Sequence, residues 1–580
     1  MSGFFQFLSR INPQNQQHQP TQHNTQQPQT HSSTSPSERI LSLWNAICAR
    51  TLTDTRESLN EIHQLLVTML KTIEKSIGEG FGVSTQNPTI ETFSQHQIPK
   101  QLVTFGLANT PKGLIQEVII FFIYFTKMPF CELLPESFIV DPLNTLIEKV
   151  PDENNDYLFK LVNGLLQYIT LNPDRISLFL ISEESSPLIE RFSNLLTNES
   201  YIPDLGHILI RLFSSMSSIA GLMNYILTYS PLVQTIIDIC KECIENRIDN
   251  PNKNFFIECV NCAVNVSPYD FQQVFAALFD ESITKPLVFR ADAIQSLTLS
   301  IYILCSFSSV PILIEPIFKH ITSNFDLYME SNLETIIFLT IRCISLMLEI
   351  STKIIYFSPE NQPESIKIYL GFMNLLRAEW FILPDISSQI TNSQFKVSMM
   401  LSDKNNDKNS IISKDDKKFQ KIDLVLDLRP IFPEFLLLLR EKFIDTNSLR
   451  VNLALTEFFS TIAAISNPEA SFFALCEDCQ DGLVKSLSSL CTLFLRRIGQ
   501  RPGTTENIKA AYDTFDGTNK ADNNLKLLMK RIHGIDNANE QENLFLNLTI
   551  VIEFLKELQS IAQSKNILHQ QSSIIMREYL

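Results

Sequence analysis

The sharpest chemical pattern in the chain is two cysteine pairs, Cys240-Lys-Glu-Cys243 and Cys259-Val-Asn-Cys262, with fifteen residues between them. That spacing satisfies the C-x2-C-x15–20-C-x2-C pattern of a structural zinc site, in which four thiolates close a tetrahedron. Zinc knuckles need turns that bring the thiolates together, and no glycine follows either pair. Instead Leu232, Val233, Ile236, Ile237, Cys240 and Cys243 continue one helical stripe. Phe255, Phe256, Cys259 and Cys262 continue the next. The expectation is therefore core thiols. The alternative is a zinc cluster at Cys240, Cys243, Cys259 and Cys262, should two helices of one hairpin aim all four at a common point. Cys476-Glu-Asp-Cys479 is a lone pair with a weaker claim to metal or redox work.

Other chemical patterns are incomplete. Gly78-Glu-Gly80-Phe-Gly82-Val83 imitates a kinase glycine-rich loop, but its third glycine comes one residue early and no V-A-I-K, H-R-D or D-F-G follows. It reads better as the end of a helix beginning near Arg56. Asp403, Asn405 and Asp407 imitate a calcium loop, yet Lys408 and Lys414 stand where glycine and the final acid belong. There is no G-x-S-x-G, H-E-x-x-H or Walker A sequence. His18, His23 and His31 lie in a polar tail, while His63, His207, His320 and His533 sit on separate segments. No catalytic or cofactor-binding residue can be assigned, so the chain reads as non-enzymatic.

The elements that carry these residues are helical almost throughout. Leu205, Ile208, Leu209, Leu212, Phe213 and Met216 mark one helix face. Similar faces recur at 38–78, 111–128, 155–170, 218–228, 231–246, 254–264, 289–307, 333–356, 364–381, 421–442, 448–465 and 481–497. Prolines 129, 151, 173, 187, 203, 231, 251 and 268 punctuate them. Asn109-Thr110-Pro111 and Ser230-Pro231 read as helix starts. Short helices joined by short connections predict an all-α chain, an α-solenoid of stacked antiparallel helix pairs with a disordered N-terminal tail. No tetratricopeptide or ankyrin period is present.

Composition agrees. Only 15 of 580 residues are glycine, against a usual share of about 7%, which disfavours hairpin-rich and phosphate-loop folds. The net charge of −16 disfavours nucleic acid as a partner. Eleven scattered cysteines fit reduced thiols and a cytoplasmic setting. Ala293 to Leu313 is uncharged and long enough to span a bilayer, but Gln295, several serines and Pro311 favour a central helix. The N-terminus lacks the basic and apolar regions of a signal peptide. The expected organisation is a low-complexity tail at 1–37 and a helical solenoid at 38–400. A charged loop at 401–420, more solenoid at 421–498, a mobile linker at 499–541 and a closing amphipathic helix and tail at 542–580 complete it.

Three segments together resemble the FTS and Hook-interacting protein family of retinoic-acid-induced-like helical proteins. The first runs from Gln97-Ile-Pro-Lys through Asn109-Thr-Pro-Lys-Gly113 into an apolar helix. Leu133-Leu-Pro135, Val140-Asp-Pro142 and Asn172-Pro-Asp-Arg175 follow in the family's order. The second is Asn452-Leu-Ala-Leu-Thr-Glu-Phe-Phe-Ser460, continuing to Pro468, and the third is Val551-Ile-Glu-Phe-Leu-Lys-Glu-Leu558 with Ile561-Ala-Gln563. The glutamine- and histidine-rich tail departs from the family, and residues 185–420 match it only in helical pattern. The resemblance implies an adaptor that joins a Hook-like coiled-coil protein to an FTS-like inactive ubiquitin-conjugating-fold protein. Through a Rab-type small GTPase, it implies a link from vesicles or endosomes to dynein and dynactin, with membrane association only through partners. Glu553–Leu558 and exposed faces of the N-terminal helices are the regions expected to meet partners. The competing expectation is an unrelated helical-repeat scaffold of a trafficking or nuclear-transport complex.

Overall fold

The computed structural model describes residues 35–78, 87–172, 186–216, 222–246, 250–356, 367–376, 422–444, 449–465, 467–498 and 540–579, with Arg175 and Phe179 between them. Most of the predicted tail, the charged loop at 401–420, Gly80, Gly82, His533 and nearly all of the 499–541 segment lie outside the described residues, as does the calcium-like run at 403–414. The chain is mostly helical, with twenty-two α-helices and two short strands among the described residues. It divides into two compact units, Met1–Pro142 and Leu143–Leu580.

The first unit holds α1 (Pro36–Arg50), α2 (Arg56–Ser76), α3 (Pro88–Gln95), α4 (Ile98–Ala108) and α5 (Leu114–Phe125). α1 starts where Ser35 and Glu38 form a reciprocal capping box, with Pro36 in the first turn. The Asn109 turn works at two helices. Its backbone, in the left-handed region, ends α4, while its side-chain oxygen accepts from Gly113 N at 2.9 Å before α5 begins. Gly106 lets α4 meet α5 closely: a Cβ there would lie 2.9 Å from Val118 Cγ2. Phe93, Phe121, Phe122 and Phe125 fill the unit's interior and meet ring to ring.

The boundary between the units falls within α6 (Ser137–Lys149). The second unit continues with α7 (Asn155–Leu171), α8 (Pro187–Leu196), α9 (Ile202–Met216), α10 (Leu222–Tyr229), α11 (Leu232–Asn246) and α12 (Pro251–Val266). α7, α9 and α12 lie side by side and point the same way. Tyr201, just before α9, stacks on Phe159 at 4.5 Å near the start of α7, while Ser215 near the end of α9 donates to Thr170 O near the end of α7. Phe255 and Cys259 of α12 lie against Gly206 of α9. α8 packs on both α7 and α11, which places it in a second layer. The expected Ser230 start is observed, its hydroxyl accepting from Leu232 N at 3.1 Å.

Next come α13 (Tyr269–Phe279), a π-helical continuation at Asp280–Val288, α14 (Ala293–Ser306), α15 (Pro311–Ser323), α16 (Phe325–Met329) and α17 (Glu334–Ile350). The candidate span from Ala293 is thus two helices broken at 307–310. No helix among the described residues is long and apolar enough to cross a membrane. The chain ends with α18 (Ile431–Leu437), α19 (Leu449–Ala464), α20 (Pro468–Leu475), α21 (Leu483–Ile498) and α22 (Glu540–Tyr579). A row of side-by-side helices runs α7, α9, α12, α14, α17, α19, α22.

Three expectations need correction. The helical faces expected at 333–356 and 421–442 each contain a strand, β1 (Ser351–Ile355) and β2 (Ile422–Asp427). These pair in parallel, Lys353 opposite Val425 and Ile355 opposite Asp427. Both are short segments of mixed polarity with branched side chains, too short for helix and strand patterns to be told apart. Of the helix expected at 364–381, the described part is a 3-10 turn at Phe372–Leu376 and a bridge from Ile368 to Cys476. The closing helix is longer than expected and is not amphipathic over its first part. Every residue from Leu544 to Ile552 is buried, and helices that are apolar all round belong in a core.

Candidate functional site

The four cysteines of the zinc pattern sit on α11 and α12, the two helices of one hairpin. Cys240, Cys243 and Cys259 are buried and Cys262 is exposed. Cys259 is turned toward α9: a Cβ on Gly206 would lie 2.8 Å from its sulfur. Cys240 and Cys243 instead sense Tyr302 on α14 electrostatically. The pairs therefore serve different helix contacts. Burial pushes the Cys243 thiol up to about 11 and Cys259 to about 12, and raises Cys240 well above the ordinary thiol value. Without a metal these thiols stay protonated at neutral pH. Among the described residues no group of three or more His, Cys, Asp or Glu side chains is placed to hold a metal ion.

The polar chemistry nearby belongs to a lysine that the sequence reading passed over. Lys253, in the first turn of α12, is 5% exposed and lies between two carboxylates. Its Nζ is 2.9 Å from Glu242 Oε1 and 3.3 Å from Glu199 Oε1. The Glu242 hydrogen bond is the main cause that raises its pKa. Asn250 caps α12 through its side-chain oxygen and donates to Glu199 at 2.5 Å. Asn252 also donates to the Glu199 carbonyl oxygen. This knot ties the α8–α9 turn to the α11–α12 turn and fixes the register of the row. The only signal in sequence was a cation at a helix start beside two acids in distant segments.

The histidines are less isolated than their spacing suggested. His63 on α2 meets Glu117 on α5, Nδ1 to Oε2 at 2.6 Å, and that hydrogen bond raises its pKa. His207 lies edge-on to Phe255 at 4.9 Å. His320 on α15 stacks on Phe289 at 4.5 Å, and its Nε2 lies 3.2 Å from Ser296 Oγ and 3.1 Å from Tyr328 OH. A serine beside an imidazole is the opening element of nucleophile activation. Here Ser296 is 3% exposed, two hydroxyls share one nitrogen, and burial lowers the imidazole pKa. The arrangement is a hydrogen-bonded knot around a part-buried imidazole.

Cys476 and Cys479 follow α20 and are both buried, with Cys479 pushed up to about 11. Cys476 forms the bridge to Ile368, and Tyr369 N donates to Leu475 O at 2.6 Å. Gly482 is needed beside this turn, since a Cβ there would come within 2.8 Å of Cys479 Cβ.

The stretch expected to meet partners, Glu553–Leu558, is interior. Phe554, Leu555 and Leu558 are fully buried. Glu553 pairs with Lys556 at 2.6 Å, and Glu557 accepts from Ser460 Oγ at 3.0 Å. This stretch holds α22 against α19. No protein-family model matches this chain, and neither does any curated protein sequence.

Proposed function

We propose that this chain is a non-enzymatic scaffold that binds other proteins along an α-solenoid of stacked antiparallel helix pairs. The observation that carries the reading is the parallel run of α7, α9 and α12 with α8 and α11 layered on it, the arrangement by which repeat proteins build long binding faces. The finer form takes its partners from the family resemblance. They are a Hook-like coiled coil, an FTS-like inactive ubiquitin-conjugating-fold protein and a Rab-type GTPase, on cytoplasmic vesicles or endosomes moved by dynein and dynactin. An acidic chain favours basic patches on such partners, chiefly by speeding encounter.

The burial of Glu553–Leu558 favours a second reading, a helical-repeat scaffold with other partners, because the family-like closing helix is taken up by its own chain. Binding assays with the purified full chain decide between them. Direct binding to a Hook-like or FTS-like protein, and GTP-dependent binding to a Rab panel, supports the adaptor. No binding to any of them removes it and leaves the general scaffold.

A further inference from the structure

Lys565 stands on α22 beyond its fully buried stretch and is itself 8% exposed. Its Nζ donates to Ile465 O at 2.5 Å and to Ser471 Oγ at 2.9 Å. Those acceptors lie just after α19 and within α20. The contact ends a series along two parallel helices. Asn452 Nδ2 donates to Asn547 Oδ1 at 2.8 Å, then Ser460 meets Glu557, and then Ile465 meets Lys565. One further polar contact joins α22 to the 3-10 turn, where Phe372 N donates to Gln559 Oε1.

What sets Lys565 apart is its want of a counter-charge. Among the described residues, the acids on the elements around it are engaged elsewhere or out of reach. Glu457 of α19 pairs with Arg342, and Glu553 and Glu557 of α22 hold Lys556 and Ser460. Glu469 of α20 acts on Tyr356. Of the cations among the described residues, Lys556 of α22 is paired with Glu553, Arg342 of α17 pairs with Glu457, and Arg450 stands in the first turn of α19, at the opposite end from Ile465. A buried ammonium without a carboxylate is costly, whereas a neutral amine has two N–H donors, matching the two acceptors in place.

We infer that Lys565 makes the seating of α22 on the α19–α20 turn proton-dependent, held while the amine is neutral and loosened when it takes a proton. Burial pushes Lys565 down to about 7, while an exposed lysine keeps its proton to about 10.4. Between these limits the seated form has released a proton that the opened form retains. Seating therefore strengthens as pH rises, about tenfold per pH unit, and levels off below the lower limit. The response begins near neutral pH and runs above it, and it stands apart from the identity of any partner.

Hydrogen–deuterium exchange of the full chain between pH 6 and 9, corrected for intrinsic rates, tests this on peptides covering 555–566 and 465–475. The expected result is protection that rises about fiftyfold between pH 7 and 9 in these peptides, with no such rise in α7 or α9. Lys565→Met, which keeps the stem and lacks the amine, removes the rise. Flat protection in the wild type, an equal rise throughout the chain, or an unchanged rise in Lys565→Met overturns the inference. The wild-type profile decides the matter by itself if the variant does not fold.

Discussion

Replacing Gly206 by alanine puts a methyl carbon at the closest approach of α9 and α12. The new Cβ would lie 2.8 Å from Cys259 Sγ and 3.1 Å from Phe255 Cε1. Alanine gains about 1 kcal/mol over glycine inside a helix. Overpacking a filled interface costs about 1–3 kcal/mol. The sulfur and the ring belong to the same facing helix and cannot both retreat, so the clash wins by about 1 kcal/mol. Removing the sulfur reverses the balance. In a Cys259→Ala background, Gly206→Ala meets only the ring edge and becomes neutral or stabilising. The expected coupling is about 1–2 kcal/mol. Hydrogen exchange in α9 and α12 peptides is the fitting assay, since a chain of several packed parts does not unfold in one step. An identical cost of Gly206→Ala with and without Cys259 would refute the packing. The same samples settle the zinc alternative: the packing account expects well under one equivalent of zinc per chain. One equivalent in the wild type that is lost in Cys259→Ala would make that thiol a ligand.

Arg191 donates to the carbonyl oxygens of Ile147, Glu148 and Val150 and to Asp152 Oδ1, closing the end of α6. Arg191→Ala should cost about 2–3 kcal/mol in local stability, with Arg191→Lys recovering only part because its donors do not fan out; exchange protection of 143–152 reads this. The His63–Glu117 bond stabilises the first unit fully below the unfolded histidine value of about 6.5. That contribution fades as pH rises through the raised folded value, so His63→Gln should flatten a melting-temperature profile over this range. Ser300 Oγ is buried without a hydrogen-bond partner among the described residues. Ser300→Ala should therefore be neutral or stabilising by about 1 kcal/mol in thermal melts; a loss of that size would show that the hydroxyl is satisfied, for instance by a bound water.

Helix identity was legible because stripes such as Leu205 to Met216 recur at helical spacing and prolines mark their ends. The helix starts at Ser35 and Ser230 follow from side-chain capping, a local rule. The strands were not legible, since Ser351–Ile355 continues an apolar helix without a break. Its partner begins at Ile422, and a parallel pairing over that separation has no local signature. α22 misled for a different reason. The family resemblance placed Glu553–Leu558 among partner-facing regions, yet Leu544-Phe-Leu-Asn-Leu-Thr-Ile-Val-Ile552 just before it is largely apolar and is buried around the whole helix. The cysteine spacing was correct as a pattern and uninformative as a site, because thiol direction depends on which neighbour each helix meets. Lys253 and Lys565 were invisible as special residues for the same reason.

The residues that could do chemistry have a shared use in the second unit. Apolar burial drives helices together but leaves them free to slide, since leucine and isoleucine contacts are non-directional. Each junction of the row other than that of α14 with α17 carries a directional polar contact as well. Tyr201 donates to Asp156, Lys253 and Asn250 hold Glu199, Ser309 donates to Asn261, Arg342 meets Glu457, and Asn452 meets Asn547. A slip by one helical turn, about 5.4 Å, would break every one of these, and the part-buried or buried groups among them, Lys253, Ser309, Arg342 and Asn452, would each lose a partner at about 1–3 kcal/mol. These contacts therefore set register where the apolar core sets affinity. In the proposed scaffold, recognition falls to the outward faces that a fixed register holds in place.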